Sequence, residues 1–157
     1  MQNPFNHPAW IDISLLLGRL SLGAYMIVAG WNKMTGPGLS GFANGPFLQA
    51  KPGWLPDMVA VPYGYALPVL ELLTGLLVAV GLFTRPAAGV MTLMLISIAI
   101  AVITKAGDLS GGAPGPFHHS VLFAALAFIL AIAGSGRLAL DPLYFGGGGE
   151  GGGKKSK

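Results

Sequence analysis

Apolar residues dominate four stretches of the chain, which are separated by segments rich in glycine, proline and charge. The four stretches cover residues 13–34, 62–84, 87–105 and 118–135. Because a helix rises about 1.5 Å per residue, runs of this length approach or exceed the ~30 Å hydrocarbon core of a bilayer. The pattern predicts an all-α fold, a four-helix transmembrane bundle.

The connection between the first two spans is much longer than a turn. It is rich in glycine and proline, and it carries the aromatic residues Phe42, Phe47 and Trp54. Structureless connections of this length are uncommon, and aromatic side chains favour the membrane interface. We expect a long, partly structured loop that lies in the interface or folds back over the helix ends, with a short helix within residues 42–50.

Two terminal segments flank the predicted transmembrane domain of residues 13–141. Residues 1–12 are polar and punctuated by proline, which predicts an interfacial segment in which Asp12 caps the first span. Residues 142–157 are mostly glycine with a basic end, a composition typical of a flexible tail.

Polar and small residues recur at helical spacing along one face of the first span. The residues on it are Arg19, Gly23, Met26, Gly30 and Lys33, separated by steps of four and three. Such steps place side chains on one stripe of a helix, and glycines there let a neighbouring helix approach closely. The stripe is predicted to be buried against another helix.

The second span carries a single acid, Glu71, near its middle. A charged side chain at that depth costs about 2.5–3.5 kcal/mol on insertion scales, so it is expected to face the interior and to have a partner. We predict a buried pair of Arg19 with Glu71. Two interpretations stay open: an ion pair that fixes helix register, or a polar pocket for a quinone headgroup, an organic anion or a proton path.

Most of the remaining cations lie at span ends or in the tail, where lipid headgroups or protein partners can bind them. These candidate lipid or partner contacts are Arg85, Arg137, Lys154, Lys155 and Lys157. They outnumber the cations on the other side, so the positive-inside rule places both termini in the cytoplasm.

His118 and His119 open the fourth span. Adjacent helical positions point about 100° apart, so the two rings cannot jointly bind one ion from one face, and no metal site is predicted. Interfacial histidines that start the helix are the first interpretation. The alternative is a proton or quinone-headgroup contact made by one histidine together with Lys33.

Composition supports a membrane protein and excludes several other classes. The 157 residues are 53% hydrophobic and only 10% charged. The net charge of +3 is not accompanied by a basic and aromatic cluster outside the apolar runs, so we expect lipid rather than nucleic acid as the anionic neighbour. There is no cysteine, no phosphate-binding loop and no pair of catalytic carboxylates, so the isolated chain is not predicted to be an enzyme.

Several of these motifs, taken in order, resemble the DoxX family of small four-helix membrane proteins. They are Arg19-x3-Gly23 with Gly30-x2-Lys33, Glu71-x3-Gly75, Gly81-x3-Arg85, and Gly136-Arg137-Leu138 with Asp141. The resemblance implies a multi-pass protein of the prokaryotic cytoplasmic membrane. It also implies an association with quinone-linked redox complexes, since DoxX-like proteins include a subunit of archaeal thiosulfate:quinone oxidoreductase.

The first functional hypothesis is therefore a small accessory or anchor subunit of a larger membrane complex linked to electron transport. It would pack against other membrane subunits or a second copy of itself, carry no redox cofactor of its own, and contribute at most to a bound quinone. One alternative is a small transporter or permeability factor that uses the Arg19 and Glu71 polar seam as its pathway. Another is a quinone-binding oxidoreductase subunit.

Overall fold

The computed structural model describes residues 9–108, residue 112 and residues 118–141. This part of the chain is helical and contains no strand. The predicted interfacial residues up to position 8 and the glycine-rich tail lie outside it, as do Lys154, Lys155 and Lys157.

Three long helices and one shorter helix, together with small helical elements, make up this part of the chain. The elements are α1 (Ala9–Thr35), α2 (Gly38–Phe42), a π-helical turn (Ala43–Phe47), α3 (Leu48–Ala50), α4 (Asp57–Val80), α5 (Thr84–Ala106) and α6 (His119–Ala133). Helices α1, α4 and α5 are long and apolar enough to cross a membrane. Helix α6 has 15 residues. Its length of about 22 Å is shorter than a bilayer core.

The boundary between the second and third helices differs from the predicted one. Helix α4 begins at Asp57 and ends at Val80, rather than covering residues 62–84. Gly81 takes a left-handed conformation with φ of 73°, which is a common way to end a helix. Phe83 is also left-handed, with φ of 49°, and α5 starts directly afterwards at Thr84.

Helices α1 and α4 pack antiparallel at a very short distance. A Cβ atom placed on Gly23 would lie 2.7 Å from the Cβ of Ala79, and one placed on Gly30 would lie 2.6 Å from the carbonyl oxygen of Pro68. Arg19, Gly23, Met26 and Gly30 are all buried, which confirms the predicted stripe for four of its five residues, whereas Lys33 at its end is only partly buried. Close backbone approach through glycine is a common solution for helices in membranes.

Helices α5 and α6 form the other half of the bundle. Met91 and Leu95 of α5 are fully or almost fully buried, as are Ala127 and Leu130 of α6. These side chains belong to one apolar core, which Leu22, Met26 and Val78 of the α1 and α4 pair complete.

The connection between α1 and α4, residues 36–56, is called the cap segment here. It contains α2, the π-helical turn and α3, so the short helix predicted within residues 42–50 is confirmed. Phe42 and Phe47 pack against the apolar core, and the segment thus folds back onto the helix ends as expected.

At the opposite end of the bundle, residues 134–141 fold back onto α1 and α4 and are called the C-terminal clasp here. The backbone N–H of Arg137 donates to Asp12 Oδ1 over 2.9 Å, and the N–H of Asp141 donates to the carbonyl of Gly81 over 2.8 Å. The prediction that Asp12 caps the first helix is wrong, because α1 already includes Ala9 and the buried Asp12 carboxylate binds the clasp instead.

Candidate functional site

Glu71 forms its ion pair with Lys33. The Lys33 ammonium donates a hydrogen bond to Glu71 Oε1 and also lies 5.4 Å from the centroid of the Phe42 ring. The Glu71 side chain is 2% exposed, whereas that of Lys33 is 26% exposed. The carboxylate is thus enclosed in the bundle, and the ammonium reaches it from the edge.

The predicted pair of Arg19 with Glu71 is wrong, and the helix register explains why. Gly30 contacts Pro68, Glu71 and Leu72, which sets Glu71 level with Gly30 along the bundle. Lys33 follows Gly30 by less than one turn, whereas Arg19 precedes it by eleven residues, or about 16 Å along the helix axis. Only the lysine is at the right depth.

Arg19 is buried in separate surroundings at the clasp end. Its guanidinium donates to the carbonyl of Leu138 and lies directly against Gly81, where a Cβ atom would have no room. The carboxylate of Asp141, in the same clasp, accepts from the N–H groups of Phe83 and Thr84 over 2.6 and 3.0 Å. Arg19 therefore holds the clasp against α1 and α4, and its partner is a backbone oxygen.

A cavity of about 430 Å³ lies between the cap segment, the first half of α4 and the second half of α5. Its lining is almost wholly apolar; representative lining residues are Phe42, Phe47, Leu55, Val59, Leu67 and Ile98. Ligand sites are commonly of this size and character, with a small number of polar groups that fix orientation.

Four polar side chains contribute to the lining: Lys33, Lys51, Tyr63 and Ser97. Lys33 stands at the Glu71 side, and Tyr63 and Ser97 form a hydrogen-bonded pair across α4 and α5 at 2.5 Å. Between Lys33 and Tyr63 runs a row of aromatic rings: Phe42 lies 6.0 Å from Phe47, which in turn lies 5.7 Å from Tyr63. Polar groups thus flank an aromatic wall.

Two lysines fasten the cap segment over this cavity. Lys51 donates to the carbonyl of Leu55 over 2.7 Å and lies 3.0 Å from the Asp57 carboxylate. Lys105, at the end of α5, donates to the carbonyl of Gln49. The cavity roof is therefore tied to both helices that form its walls.

The other predicted site residues lie elsewhere. His118 caps α6 by accepting from the N–H of Ser120 over 3.3 Å, and His119 packs against the rings of Tyr25 and Phe123. Neither histidine lines the cavity. Lys33 therefore pairs with Glu71, and the structure does not bring it together with His118 or His119 in a shared headgroup contact.

The remaining predicted cations at the clasp end are exposed. Arg85 packs over Gly134, and Arg137 is held to Asp12 by its backbone. Among the described residues, no group of three or more histidine, aspartate or glutamate side chains could hold a metal ion.

Tyr63 is the site residue that sequence reasoning missed, although a signal for it exists. Tyr63, Leu67 and Glu71 follow one another at steps of four, so they share one face of α4 with the acid. Ser97 donates a hydrogen bond to the carbonyl of Met94 in its own helix. Its second contact, with Tyr63, depends on how α5 packs against α4.

Comparison with known families gives a match. The sequence model of the DoxX family matches residues 14–104, which is more than half of the chain and covers α1, the cap segment, α4 and most of α5. Comparison with curated proteins and with solved structures gives no match. All elements that build the cavity and the Lys33–Glu71 pair lie within the matched region, and the chain belongs to the DoxX family.

Proposed function

We propose that this protein is a small accessory or anchor subunit of a larger membrane complex linked to quinone-dependent electron transport, and that its cavity binds the quinone. The observation that carries the proposal is the apolar cavity of about 430 Å³ that ends at the Lys33–Glu71 pair. An apolar chamber with one oriented donor suits a ring that carries carbonyl oxygens and an apolar tail.

The residues present fit such a ligand in charge as well as in shape. Glu71 compensates the Lys33 ammonium, so the pair as a whole suits an uncharged headgroup better than an anion. An ammonium has three donor hydrogens, and the bond to Glu71 occupies only one of them. A bound quinone would supply the capacity to accept electrons, while Lys33 would orient one carbonyl and the aromatic wall would pack against the ring.

The exposed rim of the cavity supports entry of a quinone from the bilayer. Val59 and Ile100 line the cavity and are also 56% and 46% exposed on the outer surface of α4 and α5. In a membrane, that surface faces lipid. A quinone dissolved in the bilayer could therefore insert its ring and leave its tail among the acyl chains.

The finer topology belongs to the same proposal. We propose that the chain crosses a prokaryotic inner membrane four times, with the clasp and both termini on the cytoplasmic side; the exposed Arg85 and Arg137 favour this orientation by the positive-inside rule. Helix α6 is short, so its crossing requires local thinning of the bilayer or cover from a partner helix. A neighbouring subunit along α6 is consistent with an accessory role.

The transporter alternative receives no support from the packing. Gly23 of α1 lies against Gly75 and Ala79 of α4, between the levels of Arg19 and Glu71. A pathway along the predicted seam would have to separate two helices whose backbones are in contact.

Quinone binding is tested on the purified protein in lipid nanodiscs with a 1,4-benzoquinone that carries one decyl chain. Binding should quench the fluorescence of Trp54, which lines the cavity. Ala101→Phe adds a ring inside the cavity and should weaken binding at least tenfold. Leu93→Phe is the matched control on α5, because Leu93 is 71% exposed and lies outside the cavity. Equal binding by both variants would refute the assignment of the cavity.

The accessory role is tested separately by purification from native membranes under gentle detergent. Companion membrane subunits should copurify in a fixed ratio. A homogeneous protein without companions would contradict the accessory role while leaving quinone binding open to the first test.

A further inference from the structure

The hydrogen bonds at the cavity wall have a fixed direction. Ser97 Oγ donates to the carbonyl oxygen of Met94 over 2.7 Å. A serine hydroxyl has one hydrogen, so this bond uses it. The 2.5 Å contact between Ser97 Oγ and the Tyr63 hydroxyl must then be donated by Tyr63.

Tyr63 consequently has no hydrogen left for a ligand. Its oxygen keeps a lone pair, so it can act only as an acceptor toward a molecule in the cavity. Lys33, on the other side of the row formed by Phe42 and Phe47, is a donor and cannot accept. Lys51 and Trp54, which also line the cavity, can likewise only donate, so the side-chain acceptor toward a ligand is Tyr63.

We propose that the cavity prefers the reduced, hydroxyl-bearing form of its ligand, a hydroquinone, over the corresponding quinone. This inference rests on the proposed function and adds the redox form to it. A hydroquinone hydroxyl can accept from Lys33 and another can donate to Tyr63, whereas a quinone has only acceptors and leaves the Tyr63 oxygen without a partner. One neutral hydrogen bond corresponds to a roughly threefold to tenfold difference in affinity.

The site would accordingly retain the reduced product of an electron-transfer reaction more tightly than the oxidised substrate. Such a preference suits a subunit that receives the hydroquinone from a neighbouring catalytic chain and releases it to the bilayer.

The test compares two probes that differ only in redox form: the decyl-benzoquinone and its hydroquinone, both under anaerobic conditions in lipid nanodiscs. Dissociation constants are measured by equilibrium partition between empty and protein-loaded nanodiscs, which needs no catalytic activity. The wild-type protein should bind the hydroquinone roughly threefold to tenfold more tightly.

Two substitutions change the polarity of the wall in different ways. Tyr63→Phe keeps the ring and removes the acceptor, so the preference should disappear through weaker hydroquinone binding. Ser97→Ala removes the acceptor of the Tyr63 hydroxyl and frees its hydrogen, so quinone binding should become stronger and the preference should shrink or reverse.

Tyr65→Phe is the matched control. Tyr65 lies on the same helix, but its hydroxyl bonds to Ser40 and Asn44 outside the cavity, so its removal should leave both constants unchanged. Equal affinity for the two redox forms, unaltered by Tyr63→Phe and Ser97→Ala, would overturn the preference and leave quinone binding intact. If neither probe binds the wild-type protein, the proposed function fails as well.

Discussion

At the cap end of the bundle a buried carboxylate is paired with a side chain, whereas at the clasp end a buried guanidinium is paired with the backbone. Glu71 meets Lys33, whose side chain is still 26% exposed and borders the cavity. Arg19 is 1% exposed and donates to the carbonyl of Leu138. The partly exposed ammonium of Lys33 at the cavity edge has room to exchange partners, whereas the guanidinium of Arg19 is enclosed by the clasp.

The two ends of the bundle differ in role: the cap end is a candidate ligand site, whereas the clasp end is a structural contact. Both ends contain a charged side chain inside an apolar bundle. Burying a charge there costs free energy, so Arg19 and Glu71 both stand out in the sequence as candidate functional residues. At the cap end the charge borders a cavity of about 430 Å³, whereas the Arg19 guanidinium lies directly against Gly81 and the carbonyl of Leu138. Intramembrane charge by itself is thus a weaker indicator of function than charge beside a cavity.

The largest effect is expected from Lys33→Met at the cap end. This substitution leaves the enclosed Glu71 carboxylate without its cation, and breaking a buried pair in this way costs about 3–5 kcal/mol. Glu71→Gln should cost less, about 1–3 kcal/mol, because the remaining Lys33 lies in the last turn of α1 and can extend to the headgroups. The measurement is unfolding by SDS titration in bicelles. Equal losses of stability for the two variants would contradict the conclusion that Glu71 is more enclosed than Lys33.

A smaller effect is expected where the register of α1 against α4 is set. Gly30→Ala places a methyl group 2.6 Å from the carbonyl oxygen of Pro68 and should destabilise the protein by about 1–3 kcal/mol. Gly18→Ala is the matched control on the same helix, since its methyl group would lie at an ordinary 3.6 Å from Leu126. A tolerated Gly30→Ala would show that the helices do not pack in this register.

The smallest effect is expected in the clasp. Asp141→Ala removes the acceptor for the N–H groups of Phe83 and Thr84 at the start of α5, a loss of about 1 kcal/mol by analogy with helix caps. Ligand binding in the cavity should not change. Asp57→Ala, which removes an exposed partner of Lys51, serves as the comparison and should cost still less. Loss of quinone binding in Asp141→Ala would mean that the two ends are coupled.

Much of the fold could be predicted because it depends on local spacing. The steps of three and four from Arg19 to Lys33 identified the buried face of α1, and the aromatic residues Phe42 and Phe47 indicated a connection that folds back. The partner of Glu71 could not be predicted in the same way. Arg19 and Lys33 lie on the same stripe about 21 Å apart along the helix axis. Which of them pairs with Glu71 depends on which glycine of α1 packs against which turn of α4.

The remaining differences between the predicted and the observed structure lie at the helix ends. The apolar stretch placed the end of the second span at residue 84, whereas the left-handed Gly81 ends the helix at Val80. The clasp contacts of Asp12 and Asp141 join residues far apart in the chain, which periodicity does not reveal.

The most direct test of this account is a pair of double-mutant cycles that share Glu71→Gln, one combined with Lys33→Met and the other with Arg19→Met. Because coupling between residues in contact exceeds that between distant ones, the Lys33 cycle should give a coupling energy of about 1–3 kcal/mol and the Arg19 cycle less than about 0.5 kcal/mol. The opposite result, with Arg19 coupled to Glu71 and Lys33 independent of it, would contradict the register of α1 and α4. The cavity site built on that register would then be wrong as well.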